Sequence, residues 1–275
     1  MSGTWFPEEE PAPVSIGAMG WVRVVLRGAP VLVVVMGGLV TLLMVRLIER
    51  PLCGLNRPVT PYITQGVCKS ALGIMGIRLT VLGRHMTQNG AVVSNHASWL
   101  DIFTLNAAKR IYFVAKSEVS GWPLIGWLAR ATGTVFIARR TQDAKLHLDI
   151  FENRLNTGHK LLFFPEGTST DGLGVVPFKS TLFEAFFAQN LRETLHVQPV
   201  SLIYTAPLGE DARFYGWWGE MQLMPHLLKT LSARKSGTVK VVYHPPVAVS
   251  DFDGRKALAQ YCEDTVRAGF ELPQA

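Results

Sequence analysis

In SNHASWLDIF, residues 94–103, a histidine and an aspartate stand five positions apart. A carboxylate that accepts from one imidazole nitrogen fixes the tautomer and aims the other nitrogen at a substrate proton. His96 and Asp101 are therefore candidates for a general base and its orienting group. Ser98 is placed to cap a helix by accepting from a free backbone N–H, which puts Asp101 at the third helical position. Side chains share a helical face at offsets of three and four, not five, so the pair is no ordinary helical ion pair. For the two to meet, His96 must lie outside the helix and fold back on its first turn. The segment also reads as a helix start with an incidental histidine, and by itself it leaves both readings open.

Two other segments end apolar runs with groups suited to anions or to tight turns. TVFIARR places Arg139 and Arg140 just past a strand-like run. Their guanidinium forks match the oxygens of a phosphate or carboxylate, although a solvated basic loop has the same look. LLFFPEGTSTDG places Glu166 after four apolar residues and Pro165, followed by Gly167 and Thr168. A carboxylate at the mouth of a buried strand does little for solubility, and Gly167 lets the backbone turn closely around a ligand. The plain alternative is a strand followed by a turn.

These groups need a scaffold. Runs rich in Val, Ile and Phe predict strands over 91–94, 111–114, 134–138, 160–164, 197–204 and 239–243. Helical patterns fall at 100–107, 124–131, 144–155, 182–189 and 255–268. Alternation of this kind predicts an α/β fold, a mixed sheet flanked by helices. Strands such as the one in KLLFFPEG read as continuous apolar runs, as expected with both faces covered.

The N-terminal part differs. Residues 28–45, GAPVLVVVMGGLVTLLMV, carry no charge and come close to the about 20 apolar residues of a spanning helix. Arg23 and Arg27 precede the run, and Arg46, Arg50 and Arg57 follow it, a weak orientation signal. Residues 58–82 are also poor in charge. The two stretches predict a membrane-bound two-helix segment. It forms either a hairpin entering one leaflet or one spanning and one surface helix; a buried core helix is the soluble alternative. The expected organisation is a tail over 1–20, a membrane-associated helical segment over 21–80, and an α/β domain over 81–275.

Net charge is +6 with a pI near 9.3, which fits contact with anionic lipid headgroups or nucleic acid. The basic residues are scattered, and the Trp217–Trp218 pair sits beside Glu220 rather than in a basic stripe, which speaks against nucleic acid. Those tryptophans suit a membrane interface or an acyl tunnel, or plain core packing. Cys53, Cys68 and Cys262 fit no zinc or disulfide pattern, so no metal is expected.

Taken together, NHASWLD, VFIARR, FPEGTST and VQPVSL, in this order over about 105 residues, resemble the glycerolipid acyltransferase family, which includes bacterial 1-acylglycerol-3-phosphate acyltransferases. The resemblance runs from about residue 75 to 205. It implies transfer of an acyl group from acyl carrier protein or coenzyme A to a lipid hydroxyl, with these thioesters as co-substrates and no other cofactor. On the family's pattern His96 is the base and Asp101 its orienter. Asn95, Arg139, Arg140, Glu166, Gly167, Thr168 and Ser169 then line the substrate site, and Lys116 and Lys179 fall at basic positions facing donor or acceptor phosphates. The resemblance also implies a bacterial inner-membrane enzyme with its catalytic domain on the cytoplasmic side, a lyso-lipid acceptor and contact with membrane phospholipids. A departure bears on the acceptor. Relatives acting on lysophosphatidic acid commonly read PEGTRS; here Ser169 stands where the arginine would be, and Thr181 replaces the glycine after Lys179–Ser180. EGTSTDG and FYGWWGEMQLMPHLLKTL look closer to bacterial lyso-ornithine lipid acyltransferases, which esterify an N-acylated amino acid. Phosphatidic acid synthesis is the alternative, and a non-catalytic lipid-binding scaffold is the alternative outside enzymes.

Overall fold

A computed structural model describes residues 15–122, 124–137 and 144–271. The chain opens with two helices, α1 (Ala18–Cys53) and α2 (Thr60–Met75). Strand β1 (Arg78–Gly83) and strand β2 (Gly90–Ser94) follow, then α3 (Leu100–Ala108) and β3 (Tyr112–Lys116). Next come α4 (Ile125–Thr132), β4 (Val135–Ile137), α5 (Ala144–Asn156) and β5 (Leu161–Phe163). The chain continues with α6 (Gln189–Arg192), β6 (His196–Thr205), α7 (Leu223–Ser232), β7 (Thr238–Tyr243), β8 (Val247–Ala248) and α8 (Arg255–Ala268).

The strands form one mixed sheet in the order β1-β7-β6-β2-β5-β3-β4, with β8 pairing β6. Strands β2, β3, β4, β5 and β6 run parallel, whereas β7 is antiparallel to β6. All five residues of β2 are buried. Alternate side chains serve opposite faces. Val92 joins Leu72, Met75, Leu100, Leu105 and Leu202 in one core, and Ala91 and Val93 join Phe151, Leu155, Leu161, Leu258 and Cys262 in the other.

The expected mixed α/β sheet is present, and its departures from expectation have local causes. Strand β1 pairs only β7, and its residues are mostly exposed, so it lacks the apolar signature of a buried strand. Helix α7 carries Pro225 in its first turn, where a missing N–H costs nothing; the proline hides the helix in the sequence. The helix expected over 182–189 is a 3-10 segment, Ser180–Phe187. Phe183 and Phe186 are both buried, with their ring centroids 5.8 Å apart, and a 3-10 turn eclipses side chains three apart.

The expected boundary between residues 80 and 81 falls inside β1. Cys68, Ala71, Leu72 and Met75 of α2 belong to the same core as the sheet, so α2 is part of the α/β body. Of the two N-terminal helices, only α1 is long and apolar enough to cross a membrane, with a mean hydropathy of 2.6 over its best window and 11% of that window buried. It is fastened at both ends. Arg23 Nε donates to the Ser232 carbonyl at 2.7 Å, and Arg27 Nη1 to those of Ala233 and Leu231 at 2.8 and 3.1 Å, where cations favour the carboxyl end of α7. Midway, Gly38 lets α2 approach closely; a Cβ there would meet Val67.

At the other end Glu49 is buried and caps α2 from outside. Its Oε1 accepts from the amides of Val59 at 2.8 Å and Thr60 at 3.1 Å, and its Oε2 from Thr60 Oγ1 at 2.7 Å and Arg46 at 3.1 Å. Replacing Glu49 with alanine leaves these buried donors without an acceptor, so Glu49→Ala should lower stability by about 2–3 kcal/mol. Urea unfolding in detergent measures this, and an unchanged midpoint would show that the joint contributes nothing.

Candidate active site

Strand β2 lies between β5 and β6 and parallel to both. Its carboxyl end therefore opens beside the loop that leaves β5, the position where ligand sites of α/β sheets gather. His96 sits there, two residues past the strand, and Asp101 is the second residue of α3.

The two side chains meet. His96 Nδ1 lies 2.6 Å from Asp101 Oδ2. The same oxygen accepts from the amides of Ala97 at 2.8 Å and Ser98 at 3.1 Å. Asp101 thus receives the free N–H groups ahead of α3, the work expected of Ser98. The residue before the helix is Trp99, and Ser98 Oγ reaches only the Leu100 amide, at 3.4 Å. Asp101 Oδ1 accepts from the Tyr204 hydroxyl at 2.9 Å, and Thr104 Oγ1 lies 3.1 Å from that hydroxyl. Asp101 is fully buried, and an ionised carboxylate only accepts, so the proton of this pair sits on His96 Nδ1. Nε2 then carries a free lone pair on a side chain that is 21% exposed. The ring stacks on Phe164, with centroids 4.0 Å apart and planes inclined by 12°.

The main chain of His96 is clamped as well. Its N–H donates to Glu166 Oε2 at 2.6 Å, and its carbonyl accepts from Thr170 N at 2.9 Å and Thr170 Oγ1 at 3.2 Å. Glu166 Oε1 accepts from Val176 N at 3.0 Å. Both oxygens of this buried side chain are therefore engaged by backbone amides, and Glu166 acts on the site through His96 rather than by facing a ligand. Burial raises its carboxyl to about 8, with Asp101 and Glu263 nearby; the two amide donors oppose that rise without cancelling it.

Asn95 is also buried. Its Nδ2 donates to the Leu202 carbonyl at 2.9 Å and its Oδ1 accepts from Leu202 N at 2.8 Å. The amide stands in for a strand backbone and ties the end of β2 to β6, so it braces the site from behind.

Gly167 has φ +71°, a conformation that suits glycine. Lys116 Nζ donates to its carbonyl at 2.9 Å, and a Cβ at Gly167 would lie 2.7 Å from Lys179 Nζ. The structure thus brings two exposed ammonium groups to the loop that clamps His96. Thr168 and Ser169 are half-buried on the same loop. Arg139 and Arg140 lie outside the described residues.

Sequence reasoning missed Tyr204, Thr170 and Phe164. Tyr204 carried a faint signal, an aromatic hydroxyl late in a wholly buried stretch of β6. The tryptophan pair divides. Trp218 is core, whereas Trp217 is half-buried and its amide donates to the Ala97 carbonyl at 2.8 Å, packing its loop on the His96 turn. The three cysteines are free, and burial pushes the Cys68 thiol up to about 12 and the Cys262 thiol higher still, which makes both poor nucleophiles.

Residues 78–203, which carry His96, Asp101 and Glu166, match the acyltransferase family. The chain belongs to that family and is an enzyme that transfers acyl groups, which removes the scaffold reading. It is 55% identical to a lyso-ornithine lipid O-acyltransferase of Rhodobacter capsulatus, over 96% of each chain. It is 33% identical to a 1-acyl-sn-glycerol-3-phosphate acyltransferase of Neisseria gonorrhoeae, over 73% of this chain and 77% of the other. In fold it is similar to the crystal structure of the 1-acyl-sn-glycerophosphate acyltransferase of Thermotoga maritima. That likeness has a TM-score of 0.58 at 21% identity and covers 89% of this chain and 96% of that one.

The raised carboxyl of Glu166 gives a pH test. Between its ordinary value of 4.5 and about 8, the folded chain holds a proton that the unfolded chain has lost. Stability should therefore fall as pH rises through that window, by up to about 1.4 kcal/mol per pH unit. Unfolding free energies between pH 5 and pH 8, roughly the span of that titration, should slope less in Glu166→Gln; equal slopes in both proteins would contradict it.

Proposed function

We propose that this acyltransferase moves a fatty acyl group from an acyl carrier protein or coenzyme A thioester to the hydroxyl of a lyso-aminolipid, lyso-ornithine lipid or a close analogue, and so makes a phosphate-free membrane lipid. The 55% identity to the Rhodobacter capsulatus protein named for that acceptor carries the reading. The site chemistry is compatible with it.

In this mechanism His96 Nε2 takes the proton of the acceptor hydroxyl as its oxygen attacks the thioester carbonyl carbon. The tetrahedral oxyanion collapses, the C–S bond breaks, and the imidazolium returns its proton to the leaving thiolate. Asp101 keeps the ring in the reactive tautomer and stabilises the transient imidazolium. Arg139 and Arg140 are the proposed partners of the amino acid's carboxylate. Phosphatidic acid synthesis is the second reading, favoured by the Neisseria gonorrhoeae relative.

We also propose that α1 lies in the plane of the bacterial inner membrane, with the catalytic body on the cytoplasmic side. At 1.5 Å per residue α1 is about 54 Å long, and both of its ends are bonded to the same α/β body. A helix held so cannot stand across a bilayer without taking that body with it. Its outward face, with Leu26, Val33, Met44, Leu47 and Leu52 among others, is exposed and apolar, as for a helix embedded in one leaflet.

Thiol release from an acyl thioester, followed with each acceptor in turn, tests the acceptor. Turnover with lyso-ornithine lipid is expected, and acylation of lysophosphatidic acid alone would remove the aminolipid reading. His96→Ala should lower kcat by at least about 10²-fold with membrane association unchanged; wild-type turnover would remove the assigned base. Tyr204→Phe should lower kcat about tenfold at constant KM, the equivalent of one hydrogen bond to a charged group. A steady-state kcat equal to wild type's would show that the Tyr204 hydroxyl does not help hold Asp101.

A further inference from the structure

A second constellation lies away from His96. Strands β2, β3 and β4 are parallel, and His96 follows the carboxyl end of β2. Near the opposite, amino-terminal ends of β3 and β4, a cleft of about 540 Å³ opens between the last turns of α1, the α1–α2 connection and α4. Four arginines from those three elements line it: Arg46, Arg50, Arg57 and Arg130. Leu43 and Trp127 are on its apolar side, both exposed.

Three of the guanidinium groups are held in place by backbone carbonyls. Arg46 donates to Gly54 at 2.9 Å, Arg57 to Ala131 at 2.8 Å and Arg130 to Ser120 at 2.7 Å. Each retains further N–H groups. Arg57 Nε is buried without a hydrogen-bond partner, and the Arg50 guanidinium makes no hydrogen bond or ion pair among the described residues. Burial, and then the charges of Arg46 and Arg50, hold the Arg57 guanidinium below its ordinary range. The carboxylate beside it, Glu49, already accepts from the start of α2 and from Arg46. Like charges fixed this close repel, and a bound anion relieves the repulsion.

We propose that this cleft binds the phosphate of an anionic phospholipid from the bilayer in which α1 lies, with the acyl chains leaving past Leu43 and Trp127 onto the apolar face of α1. The volume suits a glycerophosphate group and the first methylenes of its chains, and guanidinium forks match phosphate oxygens. The site differs from the acceptor site at His96, and it rests on the in-plane reading of α1.

Flotation of the full-length protein with vesicles tests it. One set is phosphatidylcholine alone; in the other, about a third is phosphatidylglycerol. Retention should be roughly tenfold greater on the anionic set. The double variant Arg50→Gln/Arg130→Gln should lose most of that gain and keep wild-type retention on phosphatidylcholine, and a far-ultraviolet circular dichroism spectrum equal to wild type's shows that it is folded. Arg234→Gln/Lys256→Gln, an equal loss of charge outside the cleft, should keep the gain. No anionic gain in the wild type, or the same loss in both double variants, overturns the phospholipid site and leaves the in-plane helix standing. Absence of retention on either vesicle overturns both. A further arm uses inorganic phosphate and the protein in neutral detergent. Thermal stabilisation by phosphate that vanishes in Arg50→Gln/Arg130→Gln, without an anionic-vesicle gain, reassigns the cleft to free phosphate and overturns the lipid assignment.

Discussion

One buried carboxylate organises the site. Asp101 has no solvent exposure and receives four donors: His96 Nδ1, two backbone amides and the Tyr204 hydroxyl. A buried charge persists only when paired and hydrogen-bonded, so each donor lowers the cost of keeping Asp101 ionised. The amides of Ala97 and Ser98 converge on it because the chain turns sharply between β2 and α3. That turn carries His96 back over the start of the helix. The carboxylate that orients the imidazole therefore also closes the turn that delivers it, and the two tasks cannot be separated by substitution at Asp101.

The rest of the sheet holds that turn from three sides. Asn95 fastens it to β6, the loop after β5 grips the His96 main chain through Glu166 and Thr170, and Trp217 grips the Ala97 carbonyl. Tyr204, late in β6, completes the circle by reaching Asp101. Most of these supports are hydrogen bonds between a side chain and the backbone of a distant segment, which fix position whatever the neighbouring side chains are. The imidazole keeps one face on Phe164 and stays partly exposed, while the main chain behind it is tied by hydrogen bonds.

Much of this was legible in the residues. The five-residue offset between His96 and Asp101 already required a histidine outside the helix, and the apolar runs located β2, β3, β5 and β6. Glu166, Asn95 and Ser98 show what was not legible. Their types suggested ligand contact or capping, but burial and backbone partners decide what a polar side chain does, and those partners lie far away in sequence: Leu202 is 107 residues from Asn95, and Val176 and His96 flank Glu166 at 10 and 70. Strand β1 and helix α7 escaped for the opposite reason, since an exposed edge strand and a helix with Pro225 in its first turn carry little local signal. The apolar length of α1 was plain in the sequence; its attachment at both ends, through Arg23, Arg27 and Glu49, depends on tertiary contacts.

The loop at Gly167 bears on acceptor chemistry through the charge it can offer. Ser169, half-buried on that loop, makes no side-chain hydrogen bond among the described residues. Lys116 is turned onto the Gly167 carbonyl, whereas Lys179 Nζ, beside the same glycine, makes no hydrogen bond or ion pair among the described residues. A phosphate monoester near neutral pH carries close to two charges and is best met by several converging donors, preferably a guanidinium fork. Among the described residues this loop offers one uncommitted ammonium and no guanidinium. An ornithine acylated on its α-nitrogen supplies one carboxylate beside its own cationic side-chain nitrogen. Its headgroup therefore asks less positive charge of this loop than a phosphate monoester does.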